Sequence, residues 1–186
     1  KEFIEAKLQE RETRHEKQGG QRYMVEPNVK EGKGGLRDLQ SLFWITKYVY
    51  RSASMADLVS LNVITPEEHQ IFVKAEAFLW AVRSHLHLIS GRAVETLSFD
   101  MQIELADRMG YHDRAGRPAV EIFMQDYFRQ ATSVGDLTRI FLTALEASHV
   151  KSEPLLERIF RKRPTVKSDY MVLHNRLSIS APENFL

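Results

Sequence analysis

The sequence predicts an all-α fold: a helical bundle of four to five main helices, followed by a C-terminal tail that is irregular or forms a short β-hairpin. Two observations support this class. Apolar residues recur at the helical period through most of the chain, and clear helix start and stop signals separate the periodic stretches. After Ser148 the pattern weakens. We therefore expect a helical domain over residues 1–150, and a linker with the start of a next domain over residues 151–186.

The composition describes an ordinary soluble globular chain. Its 186 residues are 43% hydrophobic and 27% charged, and the formal net charge is only +1. This charge gives no electrostatic argument for nucleic acid or membrane partners, so we expect neither. The absence of cysteine excludes disulfides and thiolate chemistry and fits a cytoplasmic location. Because the chain begins at Lys1 and ends abruptly at Leu186, we expect it to be a segment of a longer protein.

The first predicted helix, from Glu2 to Lys17, is dense in charge, and its large apolar residues are Phe3, Ile4 and Leu8. This pattern favours a surface helix with ion pairs between residues one turn apart. It leaves open whether the surface that the helix packs against belongs to this chain.

The second predicted helix runs from Leu36 to about Tyr50, and one broad half of it is apolar. The opposite half carries one stripe with two large aromatic residues, formed by Arg37, Ser41, Trp44 and Tyr48. A stripe of this kind predicts that the helix packs on both sides. Ordinary packing is favoured over a base-stacking or partner surface, because aromatic residues at helical spacing usually belong to a core.

Later helices have well-marked boundaries. Thr65, Pro66 and Glu68 predict an N-cap, a first helical position and a capping box, and Gly91 is a suitable residue to end that helix. Its polar stripe includes Glu76, Arg83 and His87, which could form a salt-bridge network or contact a ligand. A short helix over 98–109 follows, and the longest helix opens at Pro118. Residues 161–164 resemble a basic linker, and residues 170–179 could form a hairpin turning at 174–175.

The most unusual stretch is the glycine-rich loop over residues 26–38, which leads into the second helix. Gly32, Gly34 and Gly35 permit positive φ angles and close approach of another group to the backbone. The helix N-terminus favours an anion, and Lys30, Lys33 and Arg37 add positive charge. The carboxylate of Asp38 either balances the positive charge at this helix end within the fold or takes part in a binding site. The alternative is a packing loop with solvated lysines, because the run is neither a Walker A loop nor a dinucleotide fingerprint.

The loop and the residues after it resemble a known family. The run Glu26-Pro27-Asn28-Val29-Lys30-Glu31-Gly32, continued by Gly34-Gly35-Leu36-Arg37-Asp38-Leu39-Gln40, resembles the signature that follows the nucleotidyltransferase domain of the bifunctional PII uridylyltransferase/uridylyl-removing enzymes. Many members have proline where this chain has Lys33. The resemblance extends to about Leu145 through Arg83, Leu86-His87, Gly91-Arg92, Leu97, Phe99-Asp100, Gln102, Ala106, Gly110-Tyr111, Glu121, Phe123-Met124 and Tyr127-Phe128.

The resemblance implies a multifunctional enzyme of nitrogen metabolism regulation. In this family an upstream nucleotidyltransferase domain uses Mg²⁺ to transfer UMP from UTP to protein PII, a downstream phosphohydrolase domain removes the UMP, and C-terminal domains sense glutamine. The present segment would be the helical domain between them, supporting the nucleotidyltransferase cleft. Candidate nucleotide- or partner-binding residues are Lys30, Lys33, Gly34, Gly35, Arg37 and Asp38, with Arg83, His87 and Arg92 as secondary candidates.

Catalytic and metal-binding constellations are not found in the sequence. A nucleotidyltransferase needs a Gly-Ser turn and an Asp-x-Asp pair to hold magnesium, and neither string occurs. His85 and His87 point about 200° apart on a helix, and we attribute the His112-Asp113 dipeptide to chance. The segment alone is therefore expected to be inactive. Two alternatives stay open: a structural or protein-interaction bundle, and the related glutamine synthetase adenylyltransferase, which Glu26-Pro27-Asn28 disfavours.

Overall fold

The computed structural model of the chain describes residues 2–20, 22–151, 170–173 and 176–179. These residues form six helices and two short strands. They are α1 Glu2–Lys17, α2 Leu36–Tyr50, α3 Asp57–Ser60, α4 Pro66–Ser90, α5 Phe99–Arg108, α6 Ala119–Lys151, β1 Tyr170–Leu173 and β2 Arg176–Ile179. The mainly helical architecture confirms the predicted class.

The chain divides into two compact units, Lys1–Leu145 and Glu146–Leu186. In the second unit β1 pairs antiparallel with β2, and Tyr170 lies opposite Ile179. The predicted turn at 174–175 and the basic linker at 161–164 lie outside the described residues, so the hairpin as a whole stays a prediction. The proposed domain boundary near residue 150 also stays a prediction.

The core of the first unit forms where α2, α4 and α6 turn their apolar stripes toward one another. Each stripe repeats every three or four residues, so one side of each helix is removed from water. Burial of a leucine or phenylalanine side chain stabilises the fold by about 1.5–3 kcal/mol. The deeply buried members of this core include Leu36, Leu39, Ala75, Leu79, Val82, Leu86, Phe123 and Val134, together with Leu58, Leu97 and Leu105 from other segments.

Helix α1 packs along the second face of α2, which supplies the partner surface that the sequence left open. The ring of Phe3 lies 4.7 Å from that of Tyr48, and the Lys7 ammonium lies 5.0 Å from the ring of Trp44. Arg14 is buried near the C-terminal end of α1. The partner surface therefore lies within this chain, and the predicted packing of α2 on both sides is confirmed.

Helix boundaries follow the predicted capping chemistry. The Thr65 side chain accepts a hydrogen bond from the Glu68 backbone N–H at 3.1 Å, and the Glu68 carboxylate accepts one from the Thr65 N–H at 2.8 Å. Gly91 ends α4 with a φ of 63°. The Asp113 carboxylate accepts a 2.7 Å hydrogen bond from the Ala119 N–H at the start of α6. The His112-Asp113 dipeptide thus contains a helix-capping residue.

Candidate functional site

The glycine-rich loop is held in shape by its own hydrogen bonds, which begin at Asn28. The Asn28 side-chain oxygen accepts from the N–H groups of Lys30 and Glu31, and its carbonyl accepts from the N–H of Gly32. Asparagine favours such local turns because its side chain reaches the backbone two and three residues ahead. Before the turn, Val29 and Leu97 donate to the carbonyls of Glu95 and Pro27, which ties the loop to the segment ahead of α5.

Two glycines allow this loop to approach other backbone closely. Gly34 has a φ of +82°, and a Cβ atom there would lie 2.8 Å from the carbonyl carbon of Ala131 in α6 and closer still to its oxygen. Gly35 has an ordinary φ of −84°, but a Cβ atom would lie 2.6 Å from the Val29 carbonyl oxygen. Both positions therefore exclude larger residues for packing reasons, and Gly34 also for its backbone conformation.

The first N–H groups of α2 are engaged by the loop itself. Leu36 donates to Val29, Arg37 to Lys30 and Asp38 to Gly35, at 2.9–3.0 Å. An anion at this helix end could therefore not be bound by these three backbone donors without breaking the turn. The predicted anion site would have to depend on side chains.

Asp38 is a buried carboxylate that joins α1 to the loop. Its side chain accepts hydrogen bonds from the Arg14 guanidinium, from His15 Nε2 at 2.9 and 3.0 Å, and from the Gly34 N–H at 2.9 Å. Arg11 Nε lies 3.3 Å from the same carboxylate. Asp38 is fully buried. Its position therefore fits the role of balancing positive charge within the fold, which was one of the two roles that the sequence allowed.

The partners of Asp38 decide its charge. Burial alone would raise the pKa of this carboxyl, but the His15 hydrogen bond, the positive charge of Arg11 and the Gly34 N–H outweigh burial and lower the pKa. The carboxylate is therefore ionised at neutral pH. It serves as the counter-charge of two guanidinium groups that would otherwise be costly to bury.

The three loop cations differ in their surroundings. Lys30 and Arg37 share the Glu31 carboxylate at 3.7 and 3.4 Å, and Arg37 also donates to Gln40 at 3.3 Å. Within the part of the chain that the structure describes, the Lys33 ammonium has no ion-pair partner. All three side chains are partly exposed. They lie on one loop, whose backbone is held by hydrogen bonds to the side chains of Asn28 and Asp38.

Two of the three secondary candidates meet beside this loop. The Arg83 guanidinium makes a bidentate contact with Glu95, with the closest pair of atoms 2.7 Å apart, and His87 Nε2 lies 3.6 Å from the same carboxylate. The Arg83 hydrogen bonds lower the pKa of Glu95, helped by the positive charge of Arg83 itself and that of Lys30. Arg92 is exposed and, among the described residues, has no ion-pair partner. The geometry does not join it to this cluster.

A groove between α1 and α2 lies next to Arg37. It is an open groove with a volume of about 790 Å³, and most of its lining surface is apolar although several charged side chains border it. The lining side chains come from Ala6, Lys7, Gln9, Glu10, Thr13, Arg14, Lys17, Gln18, Glu31, Arg37 and Trp44. A second cavity, beside Leu42 and Phe72, holds only about 30 Å³ and is apolar.

Sequence reasoning missed several residues that build this region. Arg11, Arg14 and His15 were covered only as part of a charge-dense surface helix, and neither they nor Glu95 were singled out. Spacing could not reveal these partners, because each pair joins different elements. Asn28 did carry a local signal, since asparagine directly after proline is typical of a turn.

Metal-binding and membrane-spanning features are not seen in the described residues. No group of three or more His, Asp or Glu side chains there is placed to hold a metal ion. No helix in the same residues is both long and apolar enough to cross a membrane.

Comparison with known proteins gives consistent matches. A family model described as GlnD PII-uridylyltransferase matches residues 2–142. A Ruegeria pomeroyi protein described as a bifunctional uridylyltransferase/uridylyl-removing enzyme is 66% identical over 186 residues, covering 100% of this chain and 20% of that protein. A Cereibacter sphaeroides protein with the same description is 56% identical over 185 residues, covering 100% of this chain and 20% of that protein. The chain therefore spans 20% of the length of these relatives. No solved structure matches.

Proposed function

Because the chain belongs to the GlnD PII-uridylyltransferase family, we propose that it is the helical segment of an enzyme that transfers UMP from UTP to protein PII and removes it again. The segment supports the cleft of a preceding nucleotidyltransferase domain, which holds Mg²⁺, and a phosphohydrolase domain follows it. The enzyme acts in the cytoplasm. The adenylyltransferase alternative is not favoured, since both relatives are described as uridylyltransferases.

Within this function, Lys30, Lys33 and Arg37 contact the phosphate chain of UTP through their side chains. The observation that carries this assignment is the set of hydrogen bonds that hold the backbone of the loop that bears them. Asn28, Gly34 and Asp38 fix the backbone, so the cations are displayed at the start of α2 at little entropic cost. Guanidinium and ammonium groups bind phosphate by charge-assisted hydrogen bonds.

Substitution of Arg37 tests this assignment in the full-length enzyme. Arg37→Ala is expected to lower kcat/KM for UTP by about 5- to 150-fold, equivalent to about 1–3 kcal/mol for one charge-assisted contact, and to weaken UTP binding. Lys33→Ala should act in the same direction without loss of stability, because Lys33 has no ion-pair partner among the described residues. Lys47→Ala, at an exposed position on the same helix, is the matched control and should leave both quantities unchanged.

The melting temperatures of the same variants distinguish the phosphate contact from a purely structural role of Arg37. If Arg37 serves only as a structural partner of Glu31 and Gln40, Arg37→Ala lowers the melting temperature while the folded fraction keeps normal UTP kinetics. That result, together with normal kinetics for Lys33→Ala, would exclude the phosphate assignment.

A further inference from the structure

The groove between α1 and α2 has more positive than negative charge on its walls. Four cationic side chains line it, from Lys7, Arg14, Lys17 and Arg37, against the two carboxylates of Glu10 and Glu31. Neither carboxylate is free to neutralise the excess. Glu10 is bound by Lys7 at 2.6 Å, and Glu31 is shared by several cations at 3.4–3.8 Å.

Arg14 shows the shortage of negative charge most directly. The residue is nine-tenths buried, and one of its nitrogen atoms, Nη2, donates to Asp38. Its Nε and Nη1 atoms are buried without a hydrogen-bond partner among the described residues. Arg11 and His15 contact the same Asp38 carboxylate. The Glu31 carboxylate lies 3.8 Å from Arg14 Nε, but Lys30 and Arg37 share it, so neither carboxylate serves Arg14 alone. A guanidinium left in this state is costly unless an acceptor approaches it.

The size of the groove and its surplus of positive charge favour a small anionic ligand. A volume of about 790 Å³ lies within the range of small-molecule sites, about 300–1,000 Å³. Besides the charges, the walls offer the hydroxyl of Thr13 and the amides of Gln9 and Gln18. Two guanidinium groups and an ammonium around one space are typical of oxyanion binding, since guanidinium matches phosphate geometry.

We propose that the α1–α2 groove is a binding site for a phosphate-bearing small molecule, held by Arg14 and Lys17 with Arg37 at its border. This site goes beyond the proposed contact of the loop with UTP. It shares Arg37 with that contact, but Arg14 and Lys17 take no part in it.

Trp44 provides a direct readout, because it lines the groove. The chain has two tryptophans, so Trp80→Phe leaves Trp44 as the single emitter. Sodium pyrophosphate is titrated into this 186-residue variant, with sodium chloride at matched ionic strength as the control. Thermal melting with the same additives is the second measurement, since a ligand of the native state raises the melting temperature. We expect a saturable response to pyrophosphate in at least one of the two.

Lys17→Gln and Lys47→Gln form a matched pair for this titration. Lys17 lines the groove, whereas Lys47 is exposed near the opposite end of α2. We expect affinity to fall at least about tenfold in Lys17→Gln, since one such contact contributes about 1.4 kcal/mol or more, and to change less than about twofold in Lys47→Gln. Circular dichroism spectra of both variants serve as the control for folding.

The remaining outcomes either identify the ligand as a nucleotide or as free phosphate, or contradict the proposed site. Saturation by UTP but not by uridine assigns the ligand to nucleotides, and equal saturation by inorganic phosphate assigns it to free phosphate. A response that only follows ionic strength, or that weakens equally in Lys17→Gln and Lys47→Gln, overturns the proposal. Because Lys17 takes no part in the UTP contact, failure here leaves the Arg37 kinetics to be judged separately.

Discussion

Asp38 is fully buried and receives hydrogen bonds from Arg14, His15 and the Gly34 N–H, so one carboxylate ties α1 to the glycine-rich loop. Replacement by asparagine would keep the shape but leave Arg14 and Arg11 without a full counter-charge. Breaking a buried ion pair in this way costs about 3–5 kcal/mol. We expect Asp38→Asn to lower the free energy of unfolding by that amount in urea denaturation.

The acid dependence of stability is a second signature of the same residue. The folded-state pKa of Asp38 lies below its ordinary value, so its contribution is fully present above about pH 4 and is lost as the pH falls through the lowered pKa. Asp38→Asn should therefore flatten the loss of stability below about pH 4. Glu104→Gln, at an exposed carboxylate, is the control and should not change it. Equal acid sensitivity of both variants would contradict the role of Asp38.

Gly34 combines a left-handed backbone with a close contact, and the two costs can be separated by comparison with Gly91. Gly91 has a φ of +63°, but nothing lies within 4 Å of the position that its Cβ atom would occupy. We expect Gly91→Ala to destabilise the fold by about 1–2 kcal/mol from backbone strain alone. Gly34→Ala should cost about 2–5 kcal/mol, because the Ala131 backbone must also move. Similar melting temperatures for the two variants would show that the loop does not pack on α6 as described.

At the scale of elements, the pair of Arg83 and Glu95 fastens α4 to the segment that pairs with the loop. The contact is bidentate and both side chains are about four-fifths buried, with relative exposures of 21% and 18%. We expect Arg83→Met to lower the free energy of unfolding by about 1–2 kcal/mol, as for a partly shielded charge-assisted contact. Arg108→Met removes the exposed pair with Glu104 and should cost no more than about 0.5 kcal/mol. Equal losses of unfolding free energy in the two variants would mean that burial does not strengthen the pair of Arg83 and Glu95.

The helices could be predicted from the sequence because their signals are local. Apolar spacing located α2, α4 and α6, and Thr65 and Gly91 marked two helix ends through capping chemistry that involves only neighbouring residues. The environment of α1 could not be predicted in this way. A charged helix exposed to water and one packed on a buried carboxylate have the same spacing of charges, and only tertiary contact with Asp38 distinguishes them.

For the whole first unit, the sequence located the unusual loop but not its chemistry. The glycines indicated close approach of another group, and at Gly34 that group is the α6 backbone. Helix α6 contains a similar case, since a Cβ atom at Gly135 would collide with the Arg22 guanidinium. Such contacts join residues about one hundred positions apart, so no local pattern contains them. The identity of the family, by contrast, depends on the order of residues in the loop and could be recognised directly.

The last prediction concerns the 186-residue chain by itself. It should fold cooperatively, because the first unit contains its own buried core, but it should neither transfer UMP to PII nor remove it. In the proposed function both reactions use carboxylates that hold metal ions, and the sequence lacks the Gly-Ser and Asp-x-Asp strings of a nucleotidyltransferase. The measurement is incorporation of labelled UMP from UTP into PII, and its release, by the purified chain, with the full-length enzyme as positive control. Transfer above the level of a heat-denatured sample would contradict the assignment of catalysis to the neighbouring domains.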